Sequence, residues 1–586
     1  MWGDQKLPRN QISISRRRHL GLLGTAALLG ATLPVLALSL TSASGAPIHT
    51  PKDEVNSAPV VSQSLTVTTN DGKIRGRTTG SVDHWLGIPY AQPPVGALRW
   101  EPPQPAAAWT GVRAAINYGN ECTQFGNPTI NTEDCLYLNV FAPAVIPTGA
   151  KLPVLFWIHG GGNVSGSGDQ FDGSLLAQSD NIIVVTINYR LGPFGILDLP
   201  GLSSAEPTGN FSLLDMEEAL RWTQSNIPAF GGDPSKVTIA GESAGGMAVC
   251  SLLASPPANG LFSAAIMESG SCRNNSDATA QAEALDVAKA AGCPTAATAA
   301  ACLRGQSEAT VQSAGAGFTP IWYTYGGPDL PMSPLQAFAS GHYNRVPILM
   351  GDNRNEGGAF TGGYRNLTSD QYTQLVDSAF GAGCGAVIGL NSFLCGYPPG
   401  AGSSPSGLAA EVLARYPFSA FPAQNTGAYA LGTLLTDSWL YGGLGGCGAQ
   451  EVATSLAKTT TLYFYQFDDP NPPSSIGGLP GIGAVHGSEL PFLWPSVGNG
   501  NSQAAEFTPA EQELSNQMIA YWGAFTSTGS PDADGQPHWP AYSASAGGHA
   551  RLISLRPGDK TREITEADYS AEHQCSFWDR APQPQT

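Results

Sequence analysis

Val237-Thr238-Ile239-Ala240-Gly241-Glu242-Ser243-Ala244-Gly245 is the stretch on which the fold reading turns. Its first four residues form a short apolar run suited to a buried strand, and the last five have the form G-x-S-x-G. Small residues two positions either side of a serine let the chain fold sharply from strand into helix. That turn pushes the hydroxyl into the open and sets a helix N-terminus beneath any charge developing there. With 71 glycines in 586 residues, roughly one match to such a pattern arises by chance, so its position after a strand is what gives it weight.

Upstream, Trp157-Ile158-His159-Gly160-Gly161-Gly162 closes another apolar run. Consecutive glycines leave backbone N–H groups unobstructed, and with the N–H of Ala244 they can form an oxyanion hole. Further apolar, β-branched runs fall at 153–158, 182–188, 264–267, 346–350 and 461–467, and read as buried strands. Helical patterns alternate with them, as at 213–227. Another begins at Thr508-Pro509-Ala510-Glu511, with an N-cap Thr, Pro at the first helical position and Glu placed for a capping box. Its stripe Leu514, Met518, Trp522, Phe525 reads as core. Strands alternating with helices predict an α/β fold with a mostly parallel sheet covered on both faces, in one large catalytic domain.

A nucleophilic Ser needs a His as general base and an acid to orient it, in the order Ser, acid, His. Five histidines follow Ser243: His342, His486, His538, His549 and His573. His486 lies in a Gly-rich loop after the run at 461–467. For the acid, Glu356 and Asp352 both follow the run at 346–350, and spacing does not separate them.

Hydrophobic residues at 42% allow a large core, and 71 Gly with 46 Pro imply long surface loops. The net charge is −18, and the first 46 residues carry a local +4 (Lys6, Arg9, Arg16, Arg17, Arg18 against Asp4), leaving −22 on the rest. So acidic a body, without a Lys/Arg cluster, lacks the footprint of a nucleic-acid binder. Ser15-Arg16-Arg17-Arg18-His19-Leu20 precedes an uncharged run from Gly21 to about Leu40 and then small residues to Ala46. That is the layout of an export signal, 1–46, resembling the twin-arginine type apart from His19, with an uncleaved anchor as the alternative. Residues 47–62 read as a linker, 63–580 as the catalytic domain and 581–586 as a tail. No stable membrane span is expected once the signal is removed. Ten cysteines suit an exported protein with some disulfides, and no Cys-x-x-Cys or His-x-x-x-His cluster suggests a metal. No cofactor is implied.

Together these segments closely resemble the type-B carboxylesterase and lipase family of the α/β-hydrolase superfamily, from about Val67 to Arg580. The marks include Gly87-Ile88-Pro89-Tyr90-Ala91, Pro93-Pro94-Val95-Gly96, Leu98-Arg99-Trp100 and Glu133-Asp134-Cys135-Leu136-Tyr137-Leu138-Asn139. The resemblance implies Ser243 as nucleophile, Glu356 rather than Asp352 as acid, and His486 as base. It places Gly161, Gly162 and Ala244 at the oxyanion hole, Ser269, Glu489 and Glu242 as supporting residues, and Arg99 with Glu133 as a structural ion pair. It also implies disulfides Cys122–Cys135, Cys293–Cys302 and Cys447–Cys575, leaving Cys384–Cys395 as a fourth pair, Cys250 as a buried thiol and Cys272 unassigned. The partner implied is a small-molecule ester. The segment from Cys122 to Cys135 holds no Trp, unlike the cation-holding loop of cholinesterases, which argues against choline selectivity. Asn163 stands where many relatives have an aromatic. Two rival functions are a lipase on longer-chain acylglycerols and a catalytically idle adhesion relative, against which the complete set of triad residues argues.

Overall fold

A computed structural model of the chain describes residues 60–581 except 63, 126–131, 203–208, 317–321, 383–406, 441–442, 474–480, 496, 498–506 and 544–548. The stretch read as an export signal, most of that read as a linker, and the expected Cys384–Cys395 pair lie outside the described residues. Residues 60–62, at the end of the stretch read as linker, pair as a strand with Val145–Pro147.

Eleven strands build the main sheet: β1 (Arg77–Thr79), β2 (Val82–Pro89), β3 (Tyr137–Pro143), β4 (Leu152–Ile158), β5 (Ile183–Ile187), β6 (Gly232–Glu242), β7 (Ala264–Glu268), β8 (Ile348–Asn353), β9 (Leu462–Phe467), β10 (Arg551–Leu555) and β11 (Arg562–Thr565). Across the sheet they run β11-β10-β9-β8-β7-β6-β4-β5-β3-β2-β1. Every pair from β5 to β10 is parallel, and the pairs at both ends are antiparallel. The six apolar runs are the six strands from β4 to β9. Both faces of these strands are covered, so they carry continuous apolar sequence without alternation.

The helices that matter for the site are α1 (Phe211–Asn226), α2 (Ala244–Ala254), α3 (Thr426–Asp437), α4 (Gly446–Leu456), α5 (Pro509–Thr528) and α6 (Glu566–Glu572). In α5, the Thr508 side chain accepts from the Glu511 N–H, Glu511 caps Thr508 in return, and Gly529 closes the helix at φ 76°. Leu514, Met518, Trp522 and Phe525 are buried against one sheet face with Trp157 and Trp494. The architecture is that of an α/β-hydrolase. None of the described helices is long and apolar enough to cross a membrane.

Candidate active site

Ser243 stands between β6 and α2 at φ 58°, ψ −122°, a conformation costing about 1–3 kcal/mol that non-glycine residues adopt only where surroundings enforce it. The surroundings explain the flanking glycines. A Cβ on Gly245 would lie 2.0 Å from the Ile158 carbonyl oxygen, and one on Gly241 2.5 Å from the Gly245 backbone. β6 must pass this close to β4 for the serine to emerge at the carboxyl end of the sheet, and the Ser243 N–H donates to the Glu268 carbonyl at 3.0 Å.

Two loops from strands further along the sheet meet that hydroxyl. Glu356 opens a short turn three residues past β8, and His486 follows β9 in the next loop. The Ser243 hydroxyl donates to His486 Nε2 at 2.7 Å, and His486 Nδ1 donates to Glu356 Oε2 at 2.6 Å. Asp352, the competing acid, is turned elsewhere: its Oδ2 accepts from the Gly446 N–H at 2.8 Å and from the Tyr569 hydroxyl. His573 is paired with Asp437 at 2.7 Å and His538 with Asp532 at 2.8 Å on the surface.

Behind Glu356 lies a buried polar layer. Its Oε1 accepts from the Ser269 hydroxyl at 2.6 Å and from the Asn353 N–H at 2.7 Å, while the Asn353 amide donates to Glu489 Oε2 and, at 3.2 Å, to Ser269 Oγ. Asn353 escaped the sequence reading. Its one signal is its place three residues ahead of the acid, where its own backbone N–H can turn onto that carboxylate. Glu242 Oε1 lies 3.3 Å from His486 Nε2, on the side of the ring that faces Ser243.

Burial and charge compete at this cluster. Burial pulls the His486 pKa down, but the carboxylates of Glu242 and Glu356 outweigh it and hold the value up at about 9. Burial pushes Glu242 up to about 7 against the attraction of His486. Glu268, bonded to Trp522 Nε1 at 2.7 Å, is pushed up to about 8 by burial.

The glycine loop after β4 faces the elbow. His159 is buried and held neutral, its pKa pulled down to about 4 by burial against the bond its Nδ1 makes to the Gly160 carbonyl. The Tyr189 hydroxyl donates to the His159 carbonyl at 2.7 Å, and the N–H groups of Val164 and Ser165 donate to the Gly161 carbonyl. Those bonds turn the loop carbonyls away. Among the described residues the N–H groups of Gly161, Gly162 and Ala244 make no backbone bond. Gly161 needs to be glycine, at φ 99° with a Cβ position 2.2 Å from the Ser165 carbonyl. The next residue, Asn163, is fully buried and accepts from the Tyr323 hydroxyl at 3.2 Å.

Cys122–Cys135, Cys293–Cys302 and Cys447–Cys575 are bonded, and Arg99 Nε donates to Glu133 Oε2 at 2.7 Å. The reading of Cys250 as a thiol is corrected: it is bonded to Cys272. β6 and β7 are parallel neighbours, so the helix after one runs beside the loop after the other. Gly246 and Gly270 let the two backbones touch, and Cys250, one helical turn below Gly246, then faces Cys272.

The chain matches the carboxylesterase family over residues 63–578. It is 34% identical to human cocaine esterase over 491 residues, 80% of this chain and 83% of that one. With the para-nitrobenzyl esterase of Bacillus subtilis it shares 34% identity over 497 residues, 81% and 92% of the two chains. A solved thermophilic PNB esterase superposes with a TM-score of 0.71 at 30% identity, covering 88% of this chain and all of its own.

Proposed function

The chain belongs to the carboxylesterase family and is a type-B serine hydrolase of carboxylic esters, and we propose that it works through Ser243 as nucleophile, His486 as general base and Glu356 as the acid that orients it. One observation carries this reading: the unbroken hydrogen-bond line from Ser243 Oγ through both ring nitrogens of His486 to Glu356. His486 Nε2 takes the serine proton as Oγ attacks the ester carbonyl. The oxyanion of the tetrahedral intermediate accepts from the N–H groups of Gly161, Gly162 and Ala244. His486 then returns its proton to the leaving alcohol, and the acyl group stays on Ser243. Water, deprotonated by the same nitrogen, attacks the acyl-enzyme, and collapse of the second intermediate releases the acid and restores the serine. Glu356 stabilises the imidazolium in both halves. Ser269 and Glu489 support this line from behind Glu356, and Glu242 adds its charge on the Ser243 side of the ring.

The substrates that fit this reading are small-molecule esters. The domain limits belong to it as well, with an export signal over 1–46 ahead of a catalytic body over 63–580, and an extracytoplasmic location in which the four disulfides found among the described residues would persist. Ser243→Ala is expected to abolish turnover of p-nitrophenyl esters while leaving the fold intact, because it removes one half-buried hydroxyl and no apolar core volume. Turnover at the wild-type rate would reject the nucleophile, and a mature N-terminus at Met1 would reject export by signal removal.

A further inference from the structure

Most of the partly buried arginines of this acidic chain stand against a carboxylate: Arg190 with Asp215 at 2.6 Å, Arg304 with Glu101 at 2.7 Å, Arg354 with Asp468 at 2.8 Å. Arg273 does not. Its side chain is largely covered, its guanidinium lies over the Trp322 ring at 5.4 Å, and among the described residues that guanidinium has no hydrogen bond and no carboxylate within ion-pair distance. A partly covered cation without a bonded counter-charge leaves its donors open to an anionic ligand. The acid whose charge it feels, Glu283, stands beyond ion-pair distance and is bonded instead to the Asn275 amide at 3.0 Å.

Arg273 is also placed for a ligand. It belongs to the loop leaving the carboxyl end of β7, the strand whose last carbonyl, on Glu268, receives the Ser243 N–H. In open α/β sheets, that is the end at which ligands bind. Its aromatic wall, Trp322, precedes Tyr323, whose hydroxyl is bonded to Asn163, the first residue past the oxyanion glycines. The Cys250–Cys272 bond, one residue away, holds the loop against α2. A planar guanidinium with free donors, stacked on an indole, is suited to receive a carboxylate on two parallel bonds.

We propose that Arg273 forms an anion subsite of the ester pocket, so that the enzyme accepts esters carrying a carboxylate on their acyl or alcohol part; this rests on the reading of Ser243 as nucleophile. The test compares p-nitrophenyl butyrate with mono-p-nitrophenyl glutarate, and phenyl acetate with 4-acetoxybenzoate, on the wild type, Arg273→Gln, Arg273→Lys and Ser243→Ala. Arg273→Gln is expected to lower kcat/KM for at least one charged ester about tenfold or more and for its neutral counterpart less than about twofold, with Arg273→Lys between. Glutarate should inhibit wild-type hydrolysis of the neutral ester competitively, and glutaramide should not, a readout that needs no variant to fold. Equal losses on charged and neutral esters, or unchanged rates on both charged esters, would overturn the subsite. Turnover surviving in Ser243→Ala would instead reject the nucleophile.

Discussion

At the residue scale the chemistry depends on which protons the buried carboxyls keep. Acylation needs neutral His486, and the nearby carboxylates hold its pKa above the ordinary 6.5. The rate therefore rises with pH and levels off only above that raised value. Glu242, 3.3 Å from the reacting nitrogen, contributes to that rise, so Glu242→Gln should move the limb to lower pH. The pH dependence of the p-nitrophenol burst reads this directly, and an unmoved limb would mean that Glu242 carries no charge there. Glu356→Gln, by analogy with triads in which the acid is replaced by its amide, should cost on the order of 10^3- to 10^4-fold in kcat. Asp352→Asn should cost less than about tenfold, because Asp352 is bonded to Tyr569 and Gly446 and does not touch His486. A reversed order of these two losses in steady-state kinetics would exchange their roles.

At the scale of elements, α2 is held at both ends. Its N-terminus is set by the elbow, where the Gly245 contact with Ile158 leaves no room for a methyl group, and its second turn is tied by Cys250–Cys272 to the loop after β7. Replacing both cysteines by Ala should lower unfolding stability by about 3 kcal/mol in the chain-entropy model for a loop of this length. Denaturant titration with and without the substitutions measures the loss, and recovery of both as free thiols in the oxidised protein would contradict the pairing. The same loop carries Ser269, which bonds Glu356, so the double substitution should lower the rate as well as the stability.

For the whole molecule, the buried acids set the direction of the pH–stability curve. Burial pushes Asp198 and Glu268 up to about 8, and Asp352 and Asp180 up to about 7. A carboxyl whose folded pKa exceeds its unfolded value binds more protons when folded, so each costs stability as pH climbs from about 4 through that raised pKa. His486 and His573, raised by their carboxylate neighbours, contribute stability that is complete below about pH 6.5 and is lost as pH rises through their raised values, about 9 for His486. Growing repulsion in a chain of net charge −18 acts in the same sense. Calorimetry should therefore find Tm falling between about pH 5 and pH 8 at low salt. A Tm that climbs over that interval would mean the buried acids are ionised and paired.

Local sequence was sufficient wherever the constraint is local. The six apolar runs became the central strands because a strand covered on both faces must be continuously apolar, and the elbow could be read because only small residues permit that turn. The outer strands β1, β2, β3, β10 and β11 carry no comparable apolar run, since pairing toward the sheet edges depends on neighbours distant in sequence. The choice between Glu356 and Asp352 was open on spacing and needed family resemblance. In the folded chain it turns on a four-residue difference that points one carboxyl at His486 and the other at Tyr569. The Cys250–Cys272 bond, the contacts of Asn353 with Ser269 and Glu489, and the lack of a bonded partner for the Arg273 guanidinium among the described residues are not legible in the sequence for the same reason. Each is defined by the absence or presence of a partner brought from another strand, and only packing in three dimensions decides which side chains meet.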